Sequence, residues 1–216
     1  MKKAFLRIVN SLSYRTSTRW KNYKRRFYIQ YNRYLFTKKK IVFGENMQVY
    51  NKLYIKGTGS VVIGNHFLYT NGDSINPICK NIRGCINTVR QGHIIIGDYV
   101  GISSACIWSE SEIRIGNHVN IGGDCLIMDT DAHPIDYLER RKPVTGDNVS
   151  SLPIYIKDDV WVGARCIILK GVTIGERSVI GAGSVVVSDI PADCVAAGNP
   201  CRVIKKIGNE ILNHNS

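Results

Sequence analysis

The first forty residues contain no aspartate or glutamate, yet they hold thirteen Lys or Arg, at 2, 3, 7, 15, 19, 21, 24, 25, 26, 33, 38, 39 and 40. The formal charge of +12 therefore belongs to this segment. The rest of the chain has sixteen basic residues against seventeen acidic ones, so its surface is not that of a basic nucleic-acid-binding domain. No run of eighteen apolar residues occurs, which excludes a spanning helix. The opening "MKKAFLRIVNSLSYR" is basic like a signal peptide, but Arg7 breaks its short apolar stretch, and it reads as uncleaved. Seven cysteines stand at 79, 85, 106, 125, 166, 194 and 201, an odd number with no CxxC pair. That spacing fits neither a disulfide framework nor a zinc site and predicts reduced thiols in a cytoplasmic protein with no metal. With only six prolines and twenty glycines in 216 residues, collagen-like and disordered readings fail. The composition is that of one soluble domain with an appendage.

What is present is a step of six. Ile156, Val162, Ile168, Ile174, Ile180 and Val186 share one phase, and glycine follows directly at 163, 175 and 181. Shorter runs keep the same step: Ile96, Ile102 and Trp108; Ile115, Ile121 and Ile127; Phe43, Val49, Ile55 and Val61. Six is neither the helical 3.6 nor the plain alternation of a hairpin sheet. Dense Val and Ile favour strands. A short strand plus a tight corner makes six, and three such units close a triangular coil of about eighteen residues, stacked as in a solenoid. A β-solenoid over residues 41–207 is expected.

The step stops in "LIMDTDAHPIDYLERRKPVTG". Residues 129–153 form an insertion with no six-fold aliphatic pattern. A solenoid face is flat, whereas an inserted loop can wall a cleft. Asp129, Asp131 and His133 sit at its start. Histidine titrates near neutral pH, which suits removal of a hydroxyl proton. His66, His93 and His118 fall in or near coil corners and are expected to be exposed.

The segment "IYIKDDVWVGARCIILKGVTIGERSVIGAGSVVVSDIPADCVAAGNPCRVIKKI", residues 154–207, resembles the C-terminal half of the hexapeptide-repeat acyltransferases. It is most similar to the maltose and galactoside O-acetyltransferases and to the sugar O-acetyltransferases of surface polysaccharide clusters. The resemblance implies an all-β fold, a left-handed parallel β-helix, here with an N-terminal helical segment, the inserted loop and a short C-terminal helix. It implies a homotrimer, acetyl-CoA as co-substrate and a sugar hydroxyl as acceptor, in the synthesis of capsule, O-antigen or exopolysaccharide. "DAHP" resembles the family's catalytic segment, which makes His133 the general base; Asp131, Asp129 or a backbone oxygen would orient its ring. The family's acceptor site, between subunits, corresponds to Ser103 and Ser104, with Asp129 a further contact. Coenzyme A contacts carry over to Trp161, Ala164 (a serine in relatives), Ala182, Val187, Ser188, Arg202 and Lys205. Val187 and Ser188 depart from the Thr-Lys of some relatives. None of the histidines has the HxxxxH spacing of the γ-class carbonic anhydrases, and no metal is expected.

Residues 1–40 form the appendage. Trp20, Tyr23, Phe27, Tyr31 and Tyr34 recur at steps of three, four, four and three, one helical stripe among cations. That pattern suits a helix lying on anionic lipid at the inner face of the membrane, or a cap over the first coil. Nucleic acid is the less favoured partner. Residues 208–216 are a tail. The competing functional readings are an acetyltransferase with another acceptor (an amino sugar, serine or a drug) and a non-catalytic, membrane-associated scaffold.

Overall fold

The computed structural model describes residues 2–72, 83–143, 145 and 147–208, with side chains described from residue 18 onward. Helix α1 spans Lys2–Lys38. Beyond it the chain winds through three parallel sheets that form the faces of a prism.

Each face stacks one strand per coil, and each stack carries an inward aliphatic column. On the first face Phe43, Ile63, Ile96, Ile115, Ile156 and Ile174 are successive partners. On the second, Val49, Tyr69, Ile102, Ile121, Val162, Ile180 and Ala196 align. The third aligns Ile55, Ile86, Ile107, Ile127, Ile168 and Val186. Nearly all of these side chains are fully buried, so the stacked columns are the core. The corners turn through left-handed residues; His66, Tyr99 and His118 all have φ of 56°. Close stacking also demands small residues: a Cβ on Gly163 would lie 2.6 Å from the Ala182 nitrogen of the next coil.

Two expectations need correction. Trp108 is not in the inward column; the step from Ile102 is five, and Ile107 fills the core while Trp108 pairs with Asn87 and Met128 beside it. Arg202–Lys206 is an exposed strand, antiparallel to Cys194–Ala197, and no helix forms at these residues. Its side chains alternate on a sheet edge, so one ladder of backbone bonds replaces helical turns. Residues 209–216 of the expected tail lie outside the described residues.

The aromatic stripe of α1 does not form the cap. Phe36 and Asn32 do: both are fully buried. The Asn32 amide donates to the Val49 and Asn51 carbonyls at 3.1 and 2.8 Å, and its oxygen accepts from the Leu53 N–H. Phe36 packs edge-on against Phe43. The Arg25 guanidinium lies 3.9 Å from the Tyr50 ring centroid. Trp20, Tyr23, Phe27 and Tyr34 remain exposed on the other side.

Candidate active site

The insertion has a narrow, fully bonded neck. Thr130 and Ser151 form an antiparallel bridge, the Asp131 N–H donates to the Ser150 carbonyl, and the Leu152 N–H donates to the Asp129 carbonyl. Below the neck, Asp129 has no solvent exposure. Its carboxylate accepts from the Ser109 hydroxyl at 2.7 Å, the Glu110 N–H at 2.7 Å and the Ser111 N–H at 3.0 Å. Burial raises its carboxyl above the ordinary carboxylate range, and hydrogen bonds led by the Ser109 hydroxyl and the Ser111 N–H counter part of that rise. Expected to touch the acceptor, Asp129 instead ties the insertion to the coil beneath, with both oxygens occupied.

One layer up, the Thr130 hydroxyl donates to Glu110, which is ion-paired with Arg90, and accepts from the Ala132 N–H at 3.1 Å. Ala132 adopts φ of 61°, which turns the chain sharply before His133. Asp131 points to the C-terminal coils, where Lys170 donates to its carboxylate at 2.8 Å and to the Ser150 hydroxyl at 3.2 Å. A carboxylate oxygen of Asp131 is thus engaged by Lys170, and Asp131 serves the neck. His133 is exposed, followed by buried Pro134. Helix α2, Tyr137–Arg140, is capped by the Asp136 carboxylate, and Arg140 reaches back to the Pro134 carbonyl at 3.1 Å. The histidine is therefore presented to solvent on a turn tied down before and after it.

A groove of about 390 Å³ lies on the second face, lined among others by Leu68, Thr70, Ser103, Asn120, Gly122 and Trp161. Ser103 and Trp161, expected at the acceptor and cofactor sites, share this one groove. Ser104 is buried beneath, its hydroxyl accepting from the Gly72 N–H at 3.1 Å, so it supports the loop and does not face the groove. No described residue of 129–153 lines the groove. His133 thus does not border the groove that Trp161 lines.

Ala164 and Ala182 lie two residues beyond the aligned pair Val162 and Ile180, at one corner of neighbouring coils. Beside them the Cβ direction of Gly183 meets nothing within 4 Å. Val187 and Ser188, also exposed, stand at the next corner, after strand Val185–Val186 of the third face, and the antiparallel strand further on presents exposed Arg202 and Lys205. Small residues leave room for a narrow molecule, and exposed cations suit phosphate, the two features that coenzyme A would need. Among the described residues no three His, Cys, Asp or Glu side chains gather as a metal site requires. Sequence reading had not singled out Lys170, Thr130, Glu110 and Arg90; their partners are 20 to 39 residues away, and no local pattern announces them.

Comparison with known proteins agrees with the fold. Residues 153–188 match the model described as bacterial transferase hexapeptide (six repeats). A protein named as an acetyltransferase in Schizosaccharomyces pombe is 47% identical over 98 residues, 45% of each chain. A galactoside O-acetyltransferase of Lactococcus lactis is 39% identical over 117 residues, 54% of each. The chain spans about half the length of the curated relatives it matches. A variant of AntD, an N-acyltransferase from Bacillus cereus, solved with dTDP-4-amino-4,6-dideoxyglucose and coenzyme A, aligns at TM-score 0.64 and 21% identity, covering 83% of this chain and 91% of that one. A hexapeptide-repeat-containing acetyltransferase of Vibrio cholerae aligns at TM-score 0.55 and 24% identity over 90% of each. The resemblance to hexapeptide-repeat acyltransferases holds, and the fold is their left-handed parallel β-helix.

Proposed function

We propose that this chain is an acetyl-CoA-dependent O-acetyltransferase acting on a sugar hydroxyl, with His133 as general base. The observation that carries the reading is the neck of the insertion: buried Asp129 and the Asp131–Lys170 pair brace a turn whose exposed residue is a histidine. Acetyl-CoA supplies an acetyl group already activated as a thioester, so no nucleophilic side chain is required. The His133 imidazole takes the proton of the acceptor hydroxyl as the oxygen attacks, a contribution of roughly 10²–10⁴-fold. Asp131 is a positioning residue, acting through the neck. Ser103 offers a hydroxyl to the acceptor, and Trp161 offers a flat apolar wall. Arg202 and Lys205 hold phosphate, and Ala164, Ala182, Val187 and Ser188 border the cofactor's narrow arm.

Because His133 does not line the groove within one copy, the working unit is taken as a homotrimer in which the histidine of one copy meets the groove of the next. The acceptor is a free, nucleotide-linked or lipid-linked sugar of surface polysaccharide synthesis, and the enzyme works in the cytoplasm, in peripheral contact with anionic membrane through α1. The exposed stripe of Trp20, Tyr23 and Phe27, left free by the cap, supports that contact. No helix among the described residues is long and apolar enough to cross a membrane.

Release of coenzyme A thiol, followed for a panel of sugars, nucleotide sugars and amino sugars, tests the reading. Turnover with a hydroxyl acceptor, lost in His133→Ala, is expected. Turnover confined to amino sugars would replace the acceptor class, and none with any acceptor would favour the scaffold.

A further inference from the structure

We propose that Cys85 and Cys106 form a reversible oxidation site, in which a hydroperoxide converts the two thiols into a disulfide that clasps neighbouring coils. The two residues are direct partners in the third face, one on strand Cys85–Thr88 and one on strand Cys106–Ser109. Parallel partners stand about 4.8 Å apart across a sheet, inside the range of about 4.4–6.8 Å that disulfides span between Cα atoms. Their sulfur atoms are 2.8 Å apart, one thiol donating to the other. The bonded distance of about 2.05 Å is thus reached by rotation of the two side chains with a slight approach of the neighbouring strands.

The pair differs from the other described cysteines in access: Cys125 and Cys166 also share a thiol hydrogen bond, which lowers the Cys166 thiol to about 7, but both are buried. Cys125, Cys166, Cys194 and Cys201 are buried, and the first three direct their sulfurs to the carbonyls of Gly163, Gly181 and Ala192. Cys85 and Cys106 are only half-buried. Their next neighbours in the ladder are Tyr54 and Leu126, so each thiol has the other as its one sulfur partner in that column. The hydrogen bond from Cys85 lowers the Cys106 thiol below its ordinary range and raises that of Cys85. Cys106 is accordingly the sulfur that reacts first.

The chemistry balances without a cofactor. The Cys106 thiolate attacks one peroxide oxygen, the O–O bond breaks, and the departing oxygen leaves as water after taking a proton. Cys106 becomes a sulfenic acid. The Cys85 sulfur then attacks the Cys106 sulfur, the S–O bond breaks, and a second water leaves with the Cys85 proton. Two thiols and one hydrogen peroxide become one disulfide and two waters. A thiol reductant reverses the bond by exchange.

The test uses the full chain in its native state. It is exposed to hydrogen peroxide, quenched, alkylated after unfolding, and mapped by mass spectrometry. The expected result is a linked Cys85–Cys106 peptide pair lighter by two hydrogens, reversed by dithiothreitol. It should form at least about tenfold faster than any change at Cys125 or Cys166, since peroxide reaches half-buried thiols more readily than buried ones. In Cys85→Ser, Cys106 should be trapped as a sulfenic acid by dimedone, and in Cys106→Ser the reactivity of Cys85 should fall. Oxidation of the pair no faster than that of the buried thiols would overturn the proposal, as would a linkage of either residue to a different cysteine.

Discussion

The Lys170 ammonium lies 2.8 Å from the Asp131 carboxylate and joins the C-terminal coils to the neck of the insertion. Both side chains are largely shielded, at 20% and 27% exposure, so this pair is screened less than a surface one. Lys170→Met should cost about 1 kcal/mol or less in global stability. Its larger effect should be on turnover, because the turn carrying His133 gains freedom, and a misplacement of about 1 Å can cost on the order of 10²-fold. Measuring kcat and KM beside a denaturant curve separates the two. Equal turnover in the variant would mean that the ion pair only decorates the neck.

His133→Ala should leave the fold unchanged, since the side chain is exposed, and lower kcat by roughly 10²–10⁴-fold. Circular dichroism and coenzyme A release at saturating acetyl-CoA are the paired readouts. A loss below about threefold would remove the residue from the role of general base.

How much of this was legible depends on where each partner lies along the chain. The run from Ile156 to Val186, which feeds all three columns in turn, was readable because every step there is six, so the phase survives without knowledge of the coil above. The column was misread at Trp108 because the step from Ile102 shortens to five, through the left-handed corner at Ser104. The insertion could be located as a gap in rhythm. Its wiring could not: Asp129 and Asp131 look alike in sequence, yet one is buried under Ser109 and the other reaches Lys170. Likewise a periodic count picks out Trp20, Tyr23 and Phe27, whereas the docking face uses Asn32, a polar residue whose worth lies in three backbone groups of the first coil.

Asp129 yields a prediction with a pH sign. Its carboxyl is raised in the folded protein by burial. The folded state therefore holds this proton more tightly than the unfolded chain, and the contribution favours folding at low pH and is lost as pH rises through the folded value. Neither Asn nor Ala can replace it. An amide keeps one acceptor oxygen, so its NH2 would meet the Glu110 N–H or, flipped, the Ser111 N–H, and alanine would leave both N–H donors without this partner. Both variants should lose about 1–3 kcal/mol for each donor left unpaired. Urea curves between acidic and neutral pH check this, with both variants expected to show a gentler fall in stability with rising pH over the interval where the wild-type group titrates.

Asn32→Ala should loosen the cap. The Val49 and Asn51 carbonyls and the Leu53 N–H lose their side-chain partner at a buried position, at about 1–3 kcal/mol for each group left unsatisfied. Trypsin should then cut α1 at Arg25 and Arg33 faster than in the wild type, while the C-terminal coils stay resistant. Unchanged cleavage would mean that Phe36 alone secures the helix.

The cap also decides how the membrane contact must be tested. Removing residues 1–38 would strip away Asn32 and Phe36 and open the first coil, so a loss of vesicle binding in that truncation would be ambiguous. Removing residues 2–24 spares both capping residues and Arg25, and takes away seven cations, at 2, 3, 7, 15, 19, 21 and 24, together with Trp20 and Tyr23. A basic residue near an anionic leaflet contributes about 1 kcal/mol, and linked copies in an oligomer multiply weak attachments. The shortened protein should therefore keep its prism and its acyl transfer to a water-soluble acceptor, yet bind phosphatidylserine vesicles at least about tenfold more weakly. Trp20→Ser, Tyr23→Ser and Phe27→Ser combined should weaken binding while leaving every charge in place, because the exposed rings supply the apolar part of the contact. Added salt should weaken the full chain's binding as the screening length shrinks from about 10 Å at 0.1 M toward about 3 Å at 1 M. Sedimentation with vesicles of rising anionic content, at low and high salt, reads all three. Equal binding by the full and shortened chains would leave α1 as a cap with a solvated extension, and its stripe of rings without a lipid partner.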